Sequence, residues 1–198
     1  MSNHWQMPII LASGSPRRAE LLSVAGVEAI VCPPACDDGV FTCGTMHVEK
    51  WVQSLAVFKA QNVLNICNEQ AGTVLAADTV CVVDDMILGK PSSLDHARTM
   101  LALMLNRSHE VYTGWCLASL DGLQLDSGFE QSTLAIGSVE EEEIEKYLRS
   151  NQWKMKAGGY NLSERVSAGW SIECKGDPTN VMGLPMNRLK QELCRSEQ

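Results

Sequence analysis

A mixed α/β fold with helices packed on the sheet is the class this sequence predicts, and three observations predict it. Short, near-continuous apolar runs such as Pro8-Ile9-Ile10-Leu11-Ala12 and Thr73-Val74-Leu75-Ala76-Ala77 suit strands buried on both faces. Helical stretches alternate with such runs early in the chain. A hairpin-rich section follows, with turn signals at Asp84-Asp85 and Asp121-Gly122.

Taken in order, the chain opens strand, tight loop, helix. After the strand at 8–12, Ser15 suits a helix N-cap, Pro16 its first position, and Gly26 its end. Residues 28–32 read as a second strand, and 33–44 as a loop rich in Pro, Gly, Cys and Asp. His47 to about Glu69 reads as a long helix with a mostly apolar face of Val48, Trp51, Val52, Leu55, Val57, Phe58 and Leu64. Thr73 to Ala77 is a buried strand ending at Asp78, and 81–83 with 86–88 form a hairpin. Leu94 to Leu105 is an amphipathic helix, and 109–120 with 124–136 are paired strands. Glu140 to Leu148 is a helix whose acidic first turn suits the helix dipole. A Gly-rich loop then leads to a strand at 170–174, and Leu184 to about Cys194 closes the chain as a helix. With 198 residues and no internal repeat, residues 1–198 read as one domain, whole or split into two lobes. A cleft between lobes is a natural place for a site.

Charge excludes some functions. Sixteen Lys and Arg against 24 Asp and Glu leave a net charge of −8, which argues against a general binder of nucleic acid polymers or of a membrane surface. No apolar run is long enough to span a bilayer. Residues 1–7 carry no basic region followed by a long apolar one, so a cytoplasmic, reduced protein is expected. The eight cysteines show no CxxC pair and no Cys/His ligand spacing, and read mainly as small buried hydrophobes. Cys32, Cys36 and Cys43, in or beside the 33–44 loop, are the exception to watch.

Several segments carry candidate chemistry. Ser13-Gly14-Ser15-Pro16-Arg17-Arg18 places hydroxyls, guanidiniums and helix-terminal N–H groups where a phosphate would be held; a capped helix with two solvated arginines is the plainer reading. Asp78 ends an apolar strand, and reads either as a metal or proton ligand or as a turn cap. Lys90 lies in Leu88-Gly89-Lys90-Pro91, and Lys59 interrupts an apolar helix, where a solvated surface lysine is the plainer reading. Asp37-Asp38-Gly39 offers carboxylates or an ordinary turn. Four basic groups, helix-terminal N–H donors and several acids together suit a polyphosphate with a metal ion. The absence of a Walker loop, of GxGxxG after a strand, and of HExxH and GxSxG disfavours P-loop, dinucleotide, zincin and serine-hydrolase chemistry. His109 begins an apolar strand and reads as structural.

These residues resemble the Maf family. Leu-Ala-Ser-Gly-Ser-Pro-Arg-Arg-Ala-Glu-Leu-Leu at 11–22 looks like its opening signature. The resemblance continues in order through Asp37-Asp38, Glu49 to Val52 leading to Lys59-Ala60, Ala77 to Val80, Leu88 to Pro91, His109 to Gly114, Lys156 to Tyr160 and Asn180 to Pro185. It spans about residues 8–190. It implies a nucleoside triphosphate pyrophosphatase, which cuts between the α- and β-phosphates to release a nucleoside monophosphate and pyrophosphate. It also implies clearance of non-canonical or modified nucleotides, two lobes around a cleft similar to inosine triphosphate pyrophosphatase, a divalent cation (Mg2+ or Mn2+) and a homodimer. Carried over by position, Ser13, Arg17 and Arg18 match the phosphate loop, Lys59 and Lys90 the lysines facing the triphosphate, and Asp78 the catalytic carboxylate. Asp38 stands where the family usually has Glu, and with Asp78 is the implied metal ligand.

Base preference is open at this point. Members acting on dTTP and UTP carry Gly-Ala-Tyr-Gly-Ile-Gln, whereas this chain has Gly158-Gly159-Tyr160-Asn161-Leu162-Ser163-Glu164. A Ser-Glu pair, one position earlier, marks the branch acting on 7-methylguanosine triphosphate. Thr79, within Ala-Asp-Thr, points to the pyrimidine branch, which is slightly favoured. The alternatives are the 7-methylguanosine branch and a non-catalytic nucleotide-binding regulator linked to septum formation. Thr79, Ser163 and Glu164 are the expected base-side residues.

Overall fold

The computed structural model describes residues 5–36 and 41–193. Its elements are β1 (Ile9–Ala12), α1 (Pro16–Val24), β2 (Ala29–Val31), α2 (Val48–Ile66), β3 (Thr73–Val83), β4 (Met86–Leu88), α3 (Leu94–Met104), β5 (Arg107–Ser119), β6 (Leu125–Ile136), α4 (Glu141–Arg149), α5 (Leu162–Ser167), β7 (Ile172–Lys175), α6 (Pro178–Val181) and α7 (Met186–Leu193). The strands form one mixed sheet in the order β2-β1-β3-β5-β6-β7, with β4 paired to β3. A mixed α/β fold is therefore observed. No helix among the described residues is long and apolar enough to cross a membrane.

Two expectations change. Asp78 does not end its strand: β3 runs on through Asp78 and Thr79 to Val83. It pairs in parallel with β1 at 73–76 and antiparallel with β4 at 81–83. A strand ladder bonds through the backbone, so one carboxylate does not interrupt it where that side chain has a partner. The Gly-rich segment also contains α5, and a further helix, α6, follows β7. Both are too short for helical periodicity to show, and both are set by local caps. Asn161 accepts the Glu164 N–H at 3.0 Å, and Asp177 accepts the Thr179 N–H at 2.8 Å.

The chain divides into two compact units: 1–78, 113–130 and 183–198 make the first, and 79–112 with 131–182 the second. In the first, alternation along β1 sends Ile9 and Leu11 to one face with Leu22 of α1 and Leu189 of α7. Ile10 and Ala12 go to the other face with Ala56, Ala60 and Val63 of α2. That second face is built largely of small residues, Ala12, Ala76, Cys116 and Ala118, so α2 can lie close to the sheet.

In the second unit, α3 and α4 cover a core that includes Met100, Leu101, Met104, Tyr147 and Leu148. Arg98 of α3 forks onto both carboxylate oxygens of Glu145 on α4. His109 is structural, as expected: its Nε2 and the Tyr160 hydroxyl are 2.6 Å apart inside this core. Burial lowers the His109 imidazole from 6.5 to about 4, so the folded chain favours the neutral ring. The unfolded chain takes up this proton first as pH falls. The stability that His109 contributes is therefore complete above pH 6.5 and is lost as pH falls through about 4. By linkage the loss at pH 4 is about 3 kcal/mol. His109→Gln is expected to flatten that part of the stability profile, read by urea unfolding at successive pH values. A slope identical to wild type between pH 6.5 and 4 would move the effect to another group.

Candidate functional site

The first unit brings the expected phosphate loop and the expected carboxylate to one edge. Ala12 of β1 lies opposite Ala76 of β3 in a parallel pair. Ser13 and Gly14 thus leave β1 at the level where β3 reaches Ala77 and Asp78. Neighbouring strands run about 4.8 Å apart. The carboxyl end of a parallel pair is the edge where α/β sheets bind ligands.

The loop is braced by its own side chains. Ser13 is buried, and its hydroxyl accepts from the Ser15 N–H at 3.1 Å and from Arg18 Nη1 at 3.1 Å. Arg18 Nε donates to the Gly183 carbonyl at 2.8 Å. Gly183 has φ +108°, and a Cβ there would meet Arg18 Nε at 3.1 Å, so glycine both adopts the bend and admits the guanidinium. Arg17 is half-buried in the first turn of α1. Ser15 stands at the N-cap, but its hydroxyl makes no capping bond.

Lys59 is not a solvated surface lysine. It is 9% exposed, and Nζ lies 2.5 Å from Oδ1 of Asp78. The two side chains are 11% and 13% exposed. Nor is Asp78 a turn cap, since it sits within a strand and its partner comes from α2. A buried ion pair seldom stabilises a fold more than apolar packing would, because both charges lose water. Its place at the strand edge from which the Ser13 loop departs makes it a candidate for chemistry.

In the second unit, Lys90 is exposed and follows β4. The Gly89 carbonyl accepts the Gly158 N–H at 3.0 Å, which ties the Lys90 segment to the glycine turn leading into α5. Ser163 is exposed and donates to Asn161 Oδ1 at 2.7 Å. Glu164 pairs with Lys156, whose side chain is 11% exposed, and not with Arg165. Arg165 is itself buried. It stacks on Tyr147 at 4.0 Å and Trp170 at 5.5 Å, and Nη2 donates to Gln152 at 2.6 Å. Thr79 is half-buried on β3, next to Asp78.

Sequence reasoning missed Lys156, Arg165 and Gly183 as site-building residues. Lys156 lies eight positions before Glu164, outside any helical pairing rule. Lys156 and Gly183 did carry one signal, their places in the stretches Lys156 to Tyr160 and Asn180 to Pro185 that resemble the family. Asp37 and Asp38 lie outside the described residues. Among the described residues no group of three His, Cys, Asp or Glu could hold a metal ion. An open depression of about 270 Å³ on α2, lined by Gln53, Ser54, Val57, Phe58, Gln61 and Ser127, contains none of the expected residues.

A family model described as Maf-like protein matches residues 8–196. A dTTP/UTP pyrophosphatase of Rhodopirellula baltica is 38% identical over 191 residues, covering 96% of this chain and 82% of that one. A dTTP/UTP pyrophosphatase of Thermoanaerobacter sp. is 36% identical over 189 residues, covering 96% of each. A solved nucleoside-triphosphatase, or dITP/XTP pyrophosphatase, of Mycobacterium abscessus is 16% identical, with a TM-score of 0.44 over 67% of this chain and 76% of that one.

Proposed function

The chain belongs to the Maf-like protein family, and from that premise we propose that it is a nucleoside triphosphate pyrophosphatase acting on dTTP and UTP. The relatives' names support the substrate class. The observation that carries the chemistry is the Lys59–Asp78 pair at 2.5 Å, at the strand edge from which the Ser13 loop departs. In this reading Asp78 takes the proton of the attacking water. Lys59 aims the carboxylate, and Arg17, Arg18 and the α1 N-terminus hold phosphate oxygens. The products are a nucleoside monophosphate and pyrophosphate, formed in the cytoplasm.

A magnesium or manganese ion fits the donor set. Such ions take one or two carboxylates and complete their shell with water and substrate phosphates, so Asp78 suffices as a protein ligand. When bound, the ion would neutralise charge that builds on the phosphates.

Phosphates are common to all nucleotides, so base choice is proposed to lie in the α5 segment. The Ser163 hydroxyl proton goes to Asn161, which leaves its oxygen lone pairs as acceptors. The Lys156–Glu164 pair sets a donor beside an acceptor. That matches the carbonyl next to an N–H on uracil and thymine, an arrangement guanine also presents at O6 and N1–H, so the pyrimidine preference rests on the relatives' names. Release of pyrophosphate from a panel of nucleoside triphosphates, with magnesium, tests both parts. Wild type should prefer dTTP and UTP. Glu164→Ala should lose about tenfold of that preference, the size of one unpaired polar group. If wild type, Ser163→Gln and Glu164→Ala rank the bases identically, this segment does not choose the substrate. If no nucleotide yields pyrophosphate, the activity itself fails.

A further inference from the structure

Arg165 carries a charge that the proposed chemistry does not use, and it carries that charge inside the protein. It is 7% exposed, yet among the described residues no carboxylate pairs with it. Glu164, its neighbour in the chain, pairs with Lys156 instead. Its Nε is buried, and nothing among the described residues accepts from it. A guanidinium taken out of water without a counter-charge weakens a fold, and an apolar side chain of similar length would fill the space with a smaller penalty. What a guanidinium supplies and an apolar group does not is direction.

The contacts are directional. The guanidinium lies over the Tyr147 ring at 4.0 Å and over the Trp170 ring at 5.5 Å, and Nη2 donates to Gln152 Oε1 at 2.6 Å. These partners come from α4, from the turn after it and from the stretch before β7. The Arg165 carbonyl accepts the Trp170 N–H at 3.0 Å, which closes the chain back on the same residue. Tyr147 acts at a second point. Its hydroxyl donates to the Gly159 carbonyl at 2.8 Å, and the Gly159 N–H donates to the Lys156 carbonyl at 3.0 Å. One tyrosine thus holds the turn that carries Lys156 and, through Arg165, the helix that carries Glu164. That helix, α5, has six residues, too few to stand without such support.

We propose that Arg165 is a positioning residue for base choice: braced on Tyr147 and Gln152, it holds Glu164 against Lys156 in the arrangement that meets the base. The proposal rests on the reading that the α5 segment chooses the base. Arg165 acts through that pair and not on the substrate. The ring stack fixes the tilt of the guanidinium, and the bond to Gln152 fixes its rotation in the plane. An apolar side chain fixes neither. It would leave α5 able to turn on its Asn161 cap, and Glu164, whose side chain is 40% exposed, able to leave Lys156.

The test is a preference ratio, kcat/KM for dTTP divided by kcat/KM for dCTP, from pyrophosphate release by the purified full chain with magnesium. The two bases have the same ring size. Cytosine presents an amino group and a bare ring nitrogen where thymine presents a carbonyl and an N–H, so a donor set beside an acceptor tells them apart. Both nucleotides meet one preparation, so any loss of folded enzyme cancels in the ratio.

Arg165→Met keeps a long stem that packs on aromatic rings and removes the directed contacts. It should lower the ratio about fivefold, within the coupling expected of one contact network. Gln152→Ala removes only the acceptor of Nη2, from an exposed position, so it folds whether or not Arg165→Met does. It should lower the ratio about twofold. In a Glu164→Ala background, Arg165→Met should lower the ratio no further, because the group it aims is gone. The proposal is overturned if either single variant, folded, keeps the wild-type ratio, or if the effects of Arg165→Met and Glu164→Ala multiply. An identical ratio in wild type and Glu164→Ala is a separate failure: it removes the α5 segment from base choice, and this proposal with it.

Discussion

Asp78→Asn is expected to slow pyrophosphate release by about 10²–10⁴-fold, the usual cost of losing one proton-transfer group. Asparagine keeps the shape of the side chain and an oxygen that accepts from Lys59 Nζ, so the contact between α2 and β3 remains. What is lost is the charge that takes a proton from water or holds a cation. The ammonium of Lys59, 11% exposed, is then left with a neutral partner. Loss of that opposite charge at a buried ammonium costs about 1–3 kcal/mol, so the variant folds with a lower unfolding midpoint. The double variant Asp78→Asn, Lys59→Met separates the two effects. Removing both charges should restore part of the stability and none of the turnover. Initial rates of pyrophosphate release at saturating magnesium, with circular dichroism to confirm the fold, decide the matter. Wild-type rates for Asp78→Asn would remove this carboxylate from the chemistry.

The strand–loop–helix opening was legible because three local signals agree there. Apolar Ile9 to Ala12, the capping position at Ser15 and Pro16 at the helix start all fix the same boundaries. Asp78 was legible as a site residue but not as a mid-strand one. A polar residue after five buried ones reads as an exit, and only its partner across space, Lys59, shows why the strand can continue. The plain reading of Lys59 failed for the same reason, since pairing of charges 19 positions apart leaves no local pattern. The α5 segment was the least legible. Its geometry depends on a buried Arg165 stacked on Tyr147 and Trp170 and on a Lys156–Glu164 pair, neither of which follows helical or strand spacing; only the Asn161 cap, three positions before Glu164, is a local signal.

Gly114→Ala is expected to be among the most damaging single substitutions in the first unit. In sequence Gly114 is only a glycine inside the β5 strand, and a strand glycine often marks the close approach of another backbone. Here a Cβ would lie 2.1 Å from the Val52 carbonyl oxygen, 2.2 Å from its carbon and 2.5 Å from the Gln53 nitrogen. These are backbone atoms of α2, so no rotamer relieves the clash. The helix must retreat by about 1 Å, and such overpacking costs about 3 kcal/mol. For a chain of this size that lowers the unfolding midpoint by about 6–12 °C. Retreat would also pull Ala56, Ala60 and Val63 off the sheet and strain the two 3.0 Å bonds from Gln53 Nε2 to Ser127. Lys59 rides on the same helix, two turns after Val52, whereas Asp78 stays on β3. A shift of that size lengthens a 2.5 Å contact beyond hydrogen-bond reach. Turnover should therefore fall even well below the new midpoint, because the carboxylate loses the group that aims it. Thermal unfolding and pyrophosphate release measured on one preparation separate the two consequences. A midpoint within about 2 °C of wild type would mean that α2 does not rest on the β5 backbone. A lowered midpoint with full turnover would mean that aiming by Lys59 is dispensable.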